Sequence, residues 1–306
     1  MDTRQPLNTQ AALLMLMLCL IWSLQQIAIK LVGDAVAPML QIGLRSGVAY
    51  GLVRGLMALR GEATDWSAWR PGLLIGLLFA LEYVGVAEAL RRTSAGHTVV
   101  FLYTSPVFAA IGLHLLLPNE RLSALQWGGI GLAFAGVAYA FLGGSSHGKG
   151  PTSLAGDAMA LLGGAAWGAT TVVIRSSRLS RTAPNQTILY QLAGACALLL
   201  PLAWLTGQTA FHPSPLVWAS LAYQTFIMSF ASLLVWFWLL RHYLASRLGV
   251  FTFLTPVLGV LLGVLLLDEP LEPQFVGGAL LVLLGICTVS LHQSLAGWVR
   301  RLLASA

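Results

Sequence analysis

Two charged side chains lie in the middle of long apolar runs: Arg45 in 38–59 and Glu82 in 71–90. A charge at the centre of a bilayer costs about 2.5–3.5 kcal/mol on insertion scales, so it needs a partner or a water-filled space. Arg45 and Glu82 can pair across adjacent antiparallel helices. Alternatively, each can receive the opposite charge of a solute, a carboxylate on the guanidinium or an ammonium on the carboxylate. Tyr83 follows Glu82 and adds a ring and a hydroxyl. Trp22, Gln25 and Gln26 sit near the middle of 9–31, with Trp22 and Gln26 on one helical face at i, i+4. Trp167, Thr170 and Thr171 hold the matching place in 153–175. Two such indoles make apolar walls with one N–H donor each. His97, Phe101 and Thr104 recur at i, i+4, i+7, and an imidazole can carry a proton near neutral pH. Tyr190, Phe251 and one of the pair Trp236 and Trp238 are further aromatic candidates. Pro106 and Pro256 lie inside their runs, where each removes a backbone hydrogen bond and makes a candidate hinge.

The elements that must position these groups are ten apolar segments near 9–31, 38–59, 71–90, 94–116, 123–142, 153–175, 184–205, 216–240, 245–267 and 273–291. Of 306 residues, 57% are hydrophobic and only 9% charged, against about 25% charged in a soluble domain. That excludes an ordinary cytosolic enzyme, a nucleic-acid-binding protein and a disordered chain. The length leaves room for roughly ten spans of about 20 residues and no separate soluble domain. All ten are expected to be α-helices, because a lone lipid-exposed strand leaves backbone groups unpaired. The first is read as a retained span, since no small-x-small cleavage site follows it. Cys19, Cys196 and Cys287 lie inside apolar runs without a C-x-x-C pair and read as packing residues. Small-xxx-small series, Gly47-Gly51-Gly55, Gly164-Gly168 and Gly259-Gly263, are expected to allow close helix contacts.

The net charge of +6 comes from basic residues scattered at the ends of the runs. With alternating spans, twelve Lys and Arg fall on the side of the N-terminus, from Arg4 to Arg301, and Lys30, Arg91, Arg92 and Lys149 on the other. The bias places both termini in the cytoplasm. The two halves also match in order. Trp22 aligns with Trp167, Lys30 with Arg175, Ala37-Pro38 with Ala183-Pro184, and Thr104-Ser105-Pro106 with Leu254-Thr255-Pro256. Arg45 aligns with Gln191, Phe101 with Phe251, and Glu120 with Glu269. Each half carries five spans, an odd number, so the second enters the membrane from the opposite side. The expected organisation is a first repeat over 1–144, a linker at 145–152 and an inverted second repeat over 153–306. Inverted repeats with a midplane site between them recur in secondary transporters.

Ser105-Pro106 through Glu120-Arg121-Leu122 and Gln126-Trp127-Gly128, with their copies Thr255-Pro256 and Glu269-Pro270-Leu271, resemble the drug/metabolite transporter superfamily. The EamA family fits best, and within it YddG-type exporters of aromatic and other amino acids. The resemblance covers both halves. It implies a central cavity between spans 1–4 and 6–9, with spans 5 and 10 peripheral.

The expectation is thus an all-α integral membrane protein of ten transmembrane helices, built as two inverted five-helix repeats around a cavity. It is expected to export amino acids across the cell inner membrane by alternating access, without cofactor, metal or nucleic acid and without enzymatic activity. The candidate substrate-binding residues are Trp22, Gln26, Glu82, Tyr83, His97, Phe101, Trp167, Thr171, Tyr190, Trp236 and Phe251. The partners are the amino acid solute and the lipid bilayer, with a proton on Glu82 or His97 as the candidate coupling ion. The alternatives are another small metabolite or drug cation as cargo, or a membrane receptor. Gly144-Ser145-Ser146-His147-Gly148 fits G-x-S-x-G, but it lies in the linker, without the strand and helix that a nucleophile elbow needs.

Overall fold

A computed structural model of the chain describes residues 9–64, 66–117, 121–143, 153–243, 248 and 251–305. The side chains of 141–143, Phe237, Leu240, Arg241 and 290–305 are not among those described. Glu120, the linker and the G-x-S-x-G stretch lie outside the described residues.

The described chain is helical, with an isolated β-bridge between Val36 and Phe211. The elements are α1 (Thr9–Leu31), α2 (Pro38–Leu59), α3 (Trp69–Arg92), α4 (Ala95–Leu102), α5 (Ser105–Leu116), α6 (Ala124–Gly143) and α7 (Leu154–Ser176). They continue as α8 (Pro184–Leu205), α9 (Pro215–Ala222), a π-helical segment (Tyr223–Ala231), α10 (Ser232–His242), α11 (Leu254–Leu267) and α12 (Pro273–Ser305). Among the described residues six helical stretches are long and apolar enough to cross a membrane: α1, α3, Ala95–Leu116, α7, α8 and Pro215–Trp236. Ala124–Ala140, Leu254–Leu267 and Pro273–Val289 are shorter apolar helices. The α2 helix has 22 residues but carries Arg45 and Arg54.

Start signals in the sequence account for the helix ends. Pro occupies the first turn of α2, α5, α8 and α9, where its missing N–H costs nothing. Ser94, Ser153 and Ser214 accept from the backbone N–H of His97, Gly156 and Val217 and so cap α4, α7 and α9. The run 94–116 divides at Tyr103 and Thr104. Pro106 has no N–H to offer the Leu102 carbonyl, so the ladder stops there and restarts as α5.

The bundle holds together through close crossings. The α3 helix packs on α7 and α8, α2 on α8, α1 on α11, and α4 on α7 and α11; α6 packs mainly on α12. Gly194 of α8 lies directly on the Gly76 backbone of α3, so an added Cβ would collide with backbone on both sides. The expected Gly47-Gly51-Gly55 series does not act as a packing stripe. Gly51 and Gly55 have open space where a Cβ would stand, and only Gly47 approaches another helix, at Cys196. Spacing alone does not say which face of α2 meets a neighbour. The three cysteines are free thiols.

Candidate functional site

A cavity of about 390 Å³ lies at mid-bundle. Its walls are aromatic. Trp22 of α1 and Trp236 of α10 meet edge to face at 5.6 Å, and the Trp22 indole N–H donates to Ser232 Oγ at 3.2 Å. Across from them Trp167 of α7 meets Tyr103 edge to face at 5.3 Å. Phe79 and Tyr83, one turn apart on α3, pack together at 4.8 Å. Tyr103, Ser105 and Pro106 reach the wall because the chain breaks between α4 and α5, and Thr252 and Phe253 reach it just before α11 begins. A discontinuous helix beside a cavity is the arrangement in which irregular backbone is tolerated within a membrane.

The polar lining is sparse. Gln25 donates to Gln26 at 3.4 Å, and both are buried. Glu82 is 5% exposed and lines the cavity, yet its Oε2 is buried without a hydrogen-bond partner. A buried carboxylate oxygen without a donor is costly, and here it borders a space that a donor can enter.

Arg45 occupies an adjoining chamber of about 120 Å³, which shares Trp22, Phe79, Tyr83 and Gln191 with the larger one. The guanidinium carbon lies 4.8 Å from the centre of the Tyr83 ring. Arg45 Nη1 donates to Gln224 Oε1 at 3.5 Å, and Gln224 Nε2 donates to Gln41 Oε1 at 2.8 Å. Gln41 in turn donates to the Ile29 and Val36 carbonyls. The relay engages both side-chain amides, with Gln224 Nε2 also donating to Ser220 Oγ at 3.0 Å. It depends on the π-helical segment, which directs Gln224 toward α2 and Met228 into both chambers. Among the described residues no carboxylate oxygen comes within 4.0 Å of Arg45. Arg45 and Glu82 therefore do not form a direct ion pair, although each acts electrostatically on the other.

Of the sequence candidates, the structure brings Trp22, Gln26, Glu82, Tyr83, Trp167, Trp236 and Pro106 to one cavity. Trp238 is turned outward and 40% exposed. His97, Phe101, Thr171, Tyr190, Phe251 and Pro256 are not among the lining residues. His97 Nδ1 lies 3.0 Å from both Asp157 oxygens, and its ring stacks on Phe275 at 3.7 Å; Thr93 donates to Asp157 at 2.6 Å. Phe101 is fully buried in the same core. The Thr171 hydroxyl turns back to the Trp167 carbonyl, and Tyr190 packs over Gly72 beside Trp66. Phe251 offers its carbonyl to the Cys19 thiol, and Pro256 is buried in α11. Phe79, Tyr103, Gln191 and Met228 line the cavity without having been singled out. Tyr103 had a sequence signal, since it directly precedes the Thr-Ser-Pro break.

The end of the bundle where α1 stops and α4 starts is closed by Glu269. Its carboxylate accepts from Ala95 N at 2.6 Å and Gly96 N at 3.1 Å, and pairs with Lys30 Nζ at 3.2 Å. Lys30 also donates to the Thr93 carbonyl. At the opposite end a hollow of about 520 Å³ lies among Gln10, Leu14, Asn185, Val235 and Trp238.

The model of the EamA-like transporter family matches residues 9–142 and 154–291. The chain is 26% identical over 273 residues to the uncharacterized transporter YoaV of Bacillus subtilis, covering 87% of this chain and 92% of that protein. It is 27% identical to the uncharacterized transporter YvbV of the same organism, over 92% of each chain. An uncharacterized transporter of Archaeoglobus fulgidus is 25% identical over 94% of this chain and its own full length. A crystal structure of a protein at 22% identity superposes with a TM-score of 0.63 over 93% of this chain and 98% of that one, which establishes a shared fold. The spanning-length apolar helices and these relatives make the chain a multi-pass membrane protein.

Proposed function

Because the chain belongs to the EamA-like transporter family, we propose that it is a secondary transporter exporting amino acids, aromatic and other neutral ones, across the cell inner membrane. The observation that carries this reading is the mid-bundle cavity, walled by Trp22, Tyr103, Trp167 and Trp236 and bordered by the partnerless Glu82 oxygen. Flat aromatic walls suit an apolar side chain, and a carboxylate suits an ammonium group. Ten spans in two inverted five-helix repeats are supported by the two matched stretches on either side of 143–153 and by the ordered correspondences between the halves. Alternating access follows from such an arrangement, with Pro106 and Pro256 as pivots. In this state the end holding Lys30 and Glu269 is shut and the end of the N-terminus is hollow. The basic-residue bias puts that N-terminal end in the cytoplasm. A proton on Glu82 is the candidate counter-ion.

The test is transport of a labelled amino acid panel by the purified chain in proteoliposomes, with and without an imposed pH gradient. Trp22→Ala and Trp167→Ala should each slow transport of the best substrate at least about tenfold, the loss of one aromatic wall. Rates equal to wild type in both variants would remove the cavity from the transport path. A second reading is favoured by the same orphan oxygen: the cargo is an organic cation with no carboxylate.

A further inference from the structure

Arg45 and Glu82 are buried and opposite in charge, yet each is kept out of contact with the other. Direct pairing would give the lowest energy for two charges that serve only the fold. The structure instead holds them apart by separate means. Arg45 Nη1 donates to Gln224 and the guanidinium lies over the Tyr83 ring, and neither contact gives it a carboxylate. The Glu82 carboxylate meets no donor at Oε2. The two charges border separate chambers that share Tyr83, Trp22 and Gln191 as a common wall. Each lacks the kind of group that the other would supply.

We propose that Arg45 and Glu82 read the substrate at two points, the Glu82 carboxylate taking an ammonium in the aromatic chamber and the Arg45 guanidinium taking a carboxylate in the smaller one. The ligand class is a zwitterion that carries both groups on one carbon, with an apolar side chain in the larger chamber. Binding completes both coordination sets at once. A molecule that lacks either group leaves a buried charge unpaired and is rejected. Gln41 and Gln224 act as positioning residues that aim the guanidinium. This assignment rests on the amino acid reading above and adds to it the groups that select the substrate.

The test is counterflow of labelled tryptophan in proteoliposomes. The unlabelled competitors are tryptophan, tryptamine, which lacks the carboxylate, and indole-3-propionate, which lacks the ammonium. On the wild-type chain tryptophan should compete at least about tenfold better than either analogue. In Arg45→Gln the ratio of tryptophan to tryptamine should fall to about one, with indole-3-propionate still excluded; in Glu82→Gln the ratio to indole-3-propionate should fall instead. Arg45→Lys should keep part of the preference. Tryptamine or indole-3-propionate competing as well as tryptophan on the wild-type chain overturns the two-point reading alone, and that measurement needs no variant to fold. Unchanged ratios in both variants overturn it as well. No counterflow with tryptophan, phenylalanine or leucine overturns the amino acid reading, and this one with it.

Discussion

Glu269 offers a quantitative test of how the closed end is held. Its carboxylate is 7% exposed and caps two backbone N–H groups at the start of α4, those of Ala95 and Gly96, from 174 and 173 residues away. Ser94 caps His97 and cannot replace it. Glu269→Ala orphans both N–H groups, at about 1–3 kcal/mol each for a buried donor. Its other contact, to Lys30, involves a lysine side chain 21% exposed, and a partly solvated pair of this kind contributes about 1 kcal/mol. Water that reaches Lys30 also softens the loss, so the expected destabilisation is about 3–4 kcal/mol. Lys30→Met leaves the carboxylate with both N–H donors and should cost about 1 kcal/mol. Glu269→Gln keeps one acceptor oxygen and should fall between them. Gly263→Ala tests the same contact independently, because an added Cβ would stand on the Glu269 carboxylate. The assay is thermal unfolding in one detergent at one heating rate. At about 2 °C per kcal/mol for a chain of this size, Glu269→Ala should lower the midpoint by roughly 6–8 °C and Lys30→Met by about 2 °C. If Lys30→Met is as damaging as Glu269→Ala, the clasp is a charge pair and the capping argument is wrong.

Two further outcomes follow from the packing. Asp157→Asn weakens the acceptor of both Thr93 and His97. It should lower the melting midpoint by an amount equivalent to about 1–3 kcal/mol, while ligand-induced thermal stabilisation stays at the wild-type value, because this cluster does not line the cavity. Gly194→Ala forces α3 and α8 apart where their backbones touch and should cost about 1–3 kcal/mol as an overpacked contact; an unchanged melting curve would show that the crossing can relax.

Apolar runs bounded by Pro and charge gave helix limits closely: α1, α2 and α8 begin and end where the pattern does, and α7 lies within one residue of it. The reason is local. Pro at a first helical turn, Ser at a cap and a basic residue at an end act on their own segment. The π-helical turn at Tyr223–Ala231 carries no comparable signal, and its Gln224 meets Gln41 and Arg45, 183 and 179 residues away in sequence. The same limit applies to His97. His97 and Phe101 do share α4, but Thr104 falls in the break after it, and the partner that decides the surroundings of His97 is Asp157, 60 residues on. Glu269 was legible only as part of a recurring Glu-x-Leu motif, Glu120-Arg121-Leu122 and Glu269-Pro270-Leu271. That it caps α4 is a contact over 170 residues, which periodicity cannot encode.

Under the proposed inverted repeat, comparison of equivalent positions separates architecture from recognition. Trp22 and Trp167 are equivalent and both line the cavity. So are Tyr103 and Phe253 in the Thr104–Leu254 register, and both stand at a helix break beside it. Matching residues at matching places are what two halves of one fold need to build two walls. Arg45 departs from this rule, since its equivalent Gln191 is neutral while both line the smaller chamber. A buried cation is expensive in a membrane and repeat symmetry does not require it. Within the fold it meets Gln224 and the Tyr83 ring but no carboxylate among the described residues. The nearby Glu82 is left without a direct ion pair, and Arg45 borders the chamber that adjoins the one lined by Glu82. On the proposed two-point reading the asymmetric charge belongs with the transported molecule, and substituting Arg45 should change what is carried more than whether the chain folds.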